Sequence, residues 1–143
     1  MAARRRRDTG WRRGFHGRGI RAAGRTRCAR AVANLFSEIP STLPQELIEP
    51  LLHTAAFRLE RIVSAGHITA AGEWYDQEWD EWVILLTGSA SLRFEGDAGL
   101  VTLQPGDHLV IPAHRRHRVE ATDLVEKTTW LALHYRPERR RTR

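Results

Sequence analysis

The sequence has a single cysteine, Cys28, so no disulfide can form within the chain and no cysteine-rich metal site is available. A chain without disulfides is typical of a reducing compartment, which predicts a cytoplasmic protein. The sequence also lacks any run of about 20 apolar residues, so it predicts no membrane span and no membrane partner. Neither a nucleophile with a paired base nor a phosphate-binding glycine loop is present, and covalent catalysis is therefore unsupported.

Acidic residues are scarce at both ends of the chain. Residues 1–30 contain eleven Arg and one acid, and residues 136–143 contain five Arg and one acid. Between them, residues 31–135 carry fifteen Asp and Glu against seven Lys and Arg. A nucleic-acid-binding domain would carry its positive charge on a folded face. Because the basic excess lies in the ends, we expect no specific nucleic-acid partner.

The length of 143 residues suits one domain. Residues 1–33 form an Arg-rich leader with few large aliphatic side chains, so we expect the leader to be disordered. An organellar presequence, a polyanion-binding arm and translated sequence upstream of the true start all remain open as explanations. Residues 34–135 are the expected folded domain, and residues 136–143 are a basic C-terminal tail.

Short β-type runs separated by glycine and proline turns fill the folded domain. They lie at residues 57–64, 67–70, 81–86, 89–95, 100–103, 108–111, 116–121 and 128–135. Ahead of them, residues 41–52 have an N-cap pattern at Thr42 and Gln45 that predicts a short helix. No other helical segment interrupts the runs, so the sequence predicts an all-β, antiparallel domain with a short N-terminal helix. Within 81–86, alternation places Glu81 on one face with Val83 and Leu85.

Two glycine-bounded motifs resemble those of the cupin superfamily. The second motif of the family is matched at Gly106, Pro112 and His117, with His114 where glycine is usual and Ala121 where asparagine is usual; the first is matched at Gly72, Glu81 and Gly88. The resemblance covers about residues 55–135. It implies a double-stranded β-helix, the jelly-roll barrel of the cupins.

The resemblance also implies a divalent metal, Mn, Fe, Ni or Zn, bound inside the barrel by Glu81 and His117. The two histidines of the first family motif are absent. Their positions are taken by Trp74 and Asp76 if four residues precede Glu81, or by Tyr75 and Gln77 if three do. Asp76 and Gln77 are therefore the candidate additional ligands, and carboxylate, amide and imidazole donors suit these metals.

A metal-free arrangement is the alternative for the same site. A carboxylate in an apolar barrel needs a partner, because burying it unpaired costs several kcal/mol. Arg61 shares a strand face with Phe57, Leu59 and Val63, so it is predicted to point inward and to pair with Glu81 or Asp76. Arg61, Tyr75 and His134 are the candidate substrate-binding residues.

The favoured function is a small-molecule cupin that binds a divalent metal, of oxygenase or isomerase type if it is an enzyme, a point that the sequence leaves open. The alternative is a non-catalytic cupin that binds a small anion through Arg61, Arg115 or Arg116, or that serves as a homodimeric interaction module. Trp82, Ile84 and Leu86 lie on the outer face of their strand and would suit the contact surface of a homodimer.

Overall fold

The computed structural model describes residues 32–137, which form eight β-strands. The strands are β1 (Leu47–His53), β2 (Phe57–Ser64), β3 (Asp80–Thr87), β4 (Ala90–Phe94), β5 (Leu100–Leu103), β6 (His108–Ile111), β7 (His117–Thr122) and β8 (Thr128–Tyr135). No helix occurs among residues 32–137, and so none that could cross a membrane. Residues 1–31 of the predicted leader and the tail from Glu138 lie outside the described residues.

Two antiparallel sheets make up the fold. One has the strand order β1-β2-β8-β3-β6 and the other the order β5-β4-β7. A single cluster of buried side chains fills the core. Its members come from both sheets: Val83, Leu85, Ala90, Leu92, Phe94, Leu103, Ile111, Trp130 and Ala132. The all-β, antiparallel prediction is confirmed, and the two sheets enclose the space in which a ligand can lie.

The helix predicted over residues 41–52 is wrong, because Leu47–His53 is strand β1. β1 pairs with β2 in a register that places Leu47 opposite Val63. As the edge strand of its sheet, β1 tolerates Pro50, and the pairing becomes irregular between Pro50 and Leu52. The gain from pairing with β2 outweighs a local helical preference, which is worth only tenths of a kcal/mol per residue.

The strand predicted at residues 67–70 is also wrong. This segment runs beside β7 without forming a regular ladder. The Thr69 N–H donates to the carbonyl of Val119, and the Val119 N–H donates to Thr69 Oγ1, both at 2.9 Å. The other seven predicted runs are strands, four of them with the predicted boundaries.

Alternation along β3 places the site. Glu81, Val83 and Leu85 are buried on the inner face, as predicted. Trp82 and Ile84 are half-buried on the outer face. That this outer face forms the contact surface of a homodimer stays a prediction. On the inner face of β3, Glu81 is the one carboxylate beside the apolar residues Val83 and Leu85, so the partners of Glu81 decide what the site can do.

Candidate functional site: a cavity lined by carboxylates and histidines

A cavity of about 60 Å³ lies between the two sheets. Its lining combines an apolar surface with a few polar side chains, as small-molecule sites do. The apolar residues are Ile62, Val83, Leu92, Ile111, Val119 and Trp130, and the polar ones are Glu46, Tyr75, Gln77, Glu81, His117 and His134. Five candidate site residues therefore line one cavity: Tyr75, Gln77, Glu81, His117 and His134.

Glu81 is held near the centre of the polar group. The register of the large sheet places it opposite His134 of β8 and Ile111 of β6. Its side chain is buried, and Gln77 Nε2 donates a hydrogen bond of 2.5 Å to Glu81 Oε2. The hydrogen bond from the amide offsets part of the free energy that the carboxylate loses when it is removed from water.

His117 is fixed at the start of β7. Its main chain forms two hydrogen bonds with Tyr75, of 2.8 and 3.2 Å, and the two rings lie 5.5 Å apart. His117 Nδ1 lies 3.0 Å from the carbonyl of Arg115. Because a carbonyl oxygen can only accept a hydrogen bond, Nδ1 carries the hydrogen and donates the bond to Arg115. The other nitrogen, Nε2, is directed to Glu81 and lies 3.8 Å from its Oε2.

His134 lies between two carboxylates. Its Nε2 is 3.4 Å from Glu60 Oε2 and 3.9 Å from Glu81 Oε1. Glu60 is in turn 2.8 Å from the guanidinium Nε of Arg58. Glu60 is not among the site residues predicted from the sequence. Its position two residues before Ile62, on the face of β2 that meets the cavity, is the signal that alternation provides.

Asp76 is not placed as a donor in the cavity. Its carboxylate lies 3.1 Å from Nδ1 of His114. The backbone of His114 has a φ of 61°, the left-handed region that favours the glycine usual in the family motif, and its N–H donates to the carbonyl of Gln77 at 2.8 Å. Asp76 therefore supports the loop that orients Gln77, and of the two alternative alignments the one with Tyr75 and Gln77 matches the cavity.

The predicted pairing of Arg61 with Glu81 or Asp76 is wrong. Arg61 is buried on the opposite face of β2 from the cavity, where its Nε donates to Glu49 at 2.7 Å. Its guanidinium also donates to the carbonyls of Leu35 and Ser37. The N-terminal segment, meaning the described residues that precede β1 and include Leu35 and Ser37, covers this face. Apolar residues such as Val63 are therefore buried on this face too. Because both faces of β2 carry buried apolar residues, hydrophobicity alone did not reveal which face meets the cavity.

The other two arginines considered for an anion also lie outside the cavity. Arg115 donates to the carbonyl of Glu95 at 2.8 Å and to Asp97 at 2.7 Å. Arg116 is paired with the carboxylate of Glu95. Each of these two guanidinium groups already has an acidic partner, and none of the described residues that line the cavity is Lys or Arg.

The donors in the cavity do not fit a tightly bound first-row metal. At usual bond lengths, neighbouring ligand atoms lie about 2.8–3.6 Å apart around such an ion. Nε2 of His117 faces the cavity in the form that metals bind, but the nearest oxygen of Glu81 is 3.8 Å away. The Gln77–Glu81 distance of 2.5 Å is too short for two ligands and requires the amide N–H to face the carboxylate. Among residues 32–137, no group of three His, Cys, Asp or Glu side chains is placed to hold a metal.

The chain belongs to the cupin superfamily. A protein of Ralstonia eutropha JMP134, named provisionally as a mannose-6-phosphate isomerase, is 44% identical to it. The match covers 75% of this chain and 99% of that protein, with a TM-score of 0.72. An identity of this level over nearly the whole relative shows common ancestry as well as a common fold.

More distant structures show the fold alone. A cupin superfamily protein of Desulfitobacterium hafniense DCB-2 is 21% identical, with 69% of this chain and 84% of that chain covered and a TM-score of 0.58. An RmlC-like cupin of Methanocaldococcus jannaschii with a double-stranded β-helix is 14% identical, with 69% and 87% covered and a TM-score of 0.55. The predicted double-stranded β-helix is thereby confirmed. No family model and no curated protein matches the sequence.

Proposed function

We propose that this chain is a small-molecule-binding cupin whose cavity acts through hydrogen bonds and proton exchange rather than through a tightly held metal. The observation that carries the proposal is the contact between Gln77 and Glu81, because an amide donor occupies the carboxylate oxygen that faces His117. The predicted metal-binding function gives way here to the metal-free alternative for the same residues.

Proton exchange is the chemistry that the cavity supports best. His117 and His134 each direct Nε2 to an oxygen of Glu81, at 3.8 and 3.9 Å. Imidazole is the side chain whose ordinary pKa allows it to take up and release a proton near neutral pH. A ligand in the cavity that both histidines line can therefore give a proton to one and receive a proton from the other. This is the arrangement that an isomerase-type reaction uses.

The charge of the cavity predicts a neutral or cationic ligand. Glu46 and Glu81 line it, and none of its described lining residues is Lys or Arg. An anion would face these carboxylates without a permanent positive charge to compensate. The relative from Ralstonia eutropha is named as an isomerase, which supports the reaction type. A phosphorylated sugar does not suit this cavity.

Binding of small neutral, cationic and anionic compounds tests the proposal: three two-carbon compounds of similar size, and inorganic phosphate. We expect ethylene glycol and ethanolamine to shift the imidazole resonances of His117 and His134 in a saturable way. Glycolate and inorganic phosphate should produce no saturable shift. His108, which is exposed and contacts Trp82 outside the cavity, is the internal control, since its resonances report only on general solvent effects.

Two results would contradict the proposal. Saturable binding of glycolate or phosphate at His117 would show that the cavity selects anions. Equal shifts at His108 and at the two cavity histidines for every compound would show that the compounds do not enter the cavity.

A further inference from the structure

Trp130 lines the cavity, and the N–H of its indole is an unsatisfied donor. Trp130 is 4% exposed, and within the described part of the chain its Nε1 has no hydrogen-bond acceptor. Buried N–H groups nearly always have an acceptor, because leaving one unpaired is unfavourable. A group of this kind beside a cavity indicates where a bound molecule places an oxygen.

Trp130 and Glu81 line the same cavity at different positions along the strands. Trp130, Ala132 and His134 are successive buried residues of β8 that point inward. Trp130 lies opposite Leu85 and His134 lies opposite Glu81, so the two groups are held at different positions along β8. Ala132 lies between them, and Val83 lies between Glu81 and Leu85 on the neighbouring strand. Val83 lines the cavity between these two positions and gives it an apolar wall there.

We infer that the ligand is a compact neutral hydroxycarbonyl compound, an inference that rests on the proposed function of the cavity. A carbonyl oxygen accepts the N–H of Trp130, and a hydroxyl group donates to Glu81 at the other end. The short carbon chain between them lies against Val83, which lines the cavity. This orientation satisfies the indole N–H and gives the Glu81 carboxylate a hydrogen-bond donor in addition to Gln77.

The polarity of the cavity favours this class over charged ones. An ammonium group has no lone pair with which to accept the N–H of Trp130. A carboxylate or phosphate could accept it, but Glu46 also lines the cavity, and its carboxylate is engaged with the hydroxyl of Ser64 at 2.7 Å. A neutral oxygen meets the donor without repulsion from Glu46.

Titration with dihydroxyacetone tests the inference in the full-length protein. The indole resonance of Trp130 can be assigned directly or by its loss in Trp130→Phe. We expect dihydroxyacetone to move the indole proton downfield in a saturable way, because a hydrogen bond forms. Trp130→Phe should weaken the affinity for dihydroxyacetone about fivefold to tenfold, as the loss of one neutral hydrogen bond does. Trp82→Phe removes an indole outside the cavity and should leave the affinity unchanged.

The outcomes separate this inference from the proposed function. If dihydroxyacetone shifts His117 but neither the indole of Trp130 nor the affinity of Trp130→Phe changes, the inference is wrong while the proposed function stands. Absence of any saturable binding, or an indole that contacts only a bound water, also overturns the inferred ligand class. The experiment with wild-type protein remains decisive if Trp130→Phe does not fold.

Discussion

Gln77 is the residue that most distinguishes this cavity from a metal site. Its amide N–H faces Glu81 at 2.5 Å, where a metal-binding cupin would have a histidine. The main-chain carbonyl of Gln77 is held by the N–H of His114, so the side chain starts from a fixed position. A single amide in place of an ionisable donor therefore changes the partner of the buried carboxylate from a cation to a neutral group.

Gln77→Glu should convert the cavity into a metal site. The substitution replaces the amide donor with a second carboxylate beside Glu81, and the two repel each other unless a cation lies between them. We expect the metal-free variant to be less stable than wild type by about 1–3 kcal/mol. Zn²⁺ or Mn²⁺ should then raise its melting temperature, since a ligand that binds only the folded state stabilises it.

Asp76→Asn is the matched control, because it also changes one carboxyl group but lies outside the cavity against His114. It should leave the response to metals the same as that of wild type. A melting temperature of Gln77→Glu that is insensitive to both metals would show that Gln77 does not decide the metal affinity.

The candidate site could be predicted only in part from single residues. Glu81 and His117 were identified by motif spacing, and both line the cavity. The sequence predicted Arg61, and not Glu60, to face the cavity, and the structure shows the reverse. Both faces of β2 are covered, so hydrophobicity did not indicate which face meets the cavity. Alternation places Glu60 on the same face as Ile62 and Arg61 on the other face. Which of the two faces meets the cavity depends on how distant parts of the chain cover β2, and a pattern of residue types does not contain that information.

Among the structural elements, the strands from β2 onward were predictable and β1 was not. Strands such as β2 and β8 combine β-branched or aromatic residues with clear turn signals. β1 contains Pro50 and an N-cap pattern ahead of it, which locally favour a helix. Its strand conformation depends on pairing with β2, a contact between distant parts of the chain that local propensity cannot represent.

The turn between β3 and β4 depends on the absence of a side chain at Gly88. Its φ is +74°, and a Cβ there would lie 2.5 Å from Oγ1 and 2.8 Å from the α-carbon of Thr128, which is fully buried. We expect Gly88→Ala to lower the free energy of unfolding by about 2–4 kcal/mol, measured by urea denaturation, from overpacking and backbone strain together.

Gly72→Ala separates these two causes. Gly72 has a similar φ of +77°, but apart from its chain neighbours no atom of residues 32–137 lies within 4 Å of the position of a Cβ. Its substitution should cost only the strain, about 1–2 kcal/mol. Equal losses in the two variants would contradict the close packing of Gly88 against Thr128.

At the scale of the whole molecule, the fold separates its charged groups by function. Arg61 ties the N-terminal segment to the outside of β2 through Leu35, Ser37 and Glu49. Arg115 is paired with Asp97 on the surface. The cavity keeps carboxylates and histidines, without an arginine among its described lining residues. The cupin fold thus provides the cavity, and the residues at the first-motif positions determine which chemistry takes place in it.

The metal content of the purified protein tests the central claim most directly. Protein purified without chelators, loaded with Mn²⁺, Fe²⁺, Ni²⁺ or Zn²⁺ and then desalted, should retain much less than one ion per chain by elemental analysis. His117→Ala should retain as little, because the wild-type cavity has no metal site for this substitution to remove. One tightly held ion per wild-type chain, lost in His117→Ala, would contradict a cavity that acts through hydrogen bonds and proton exchange.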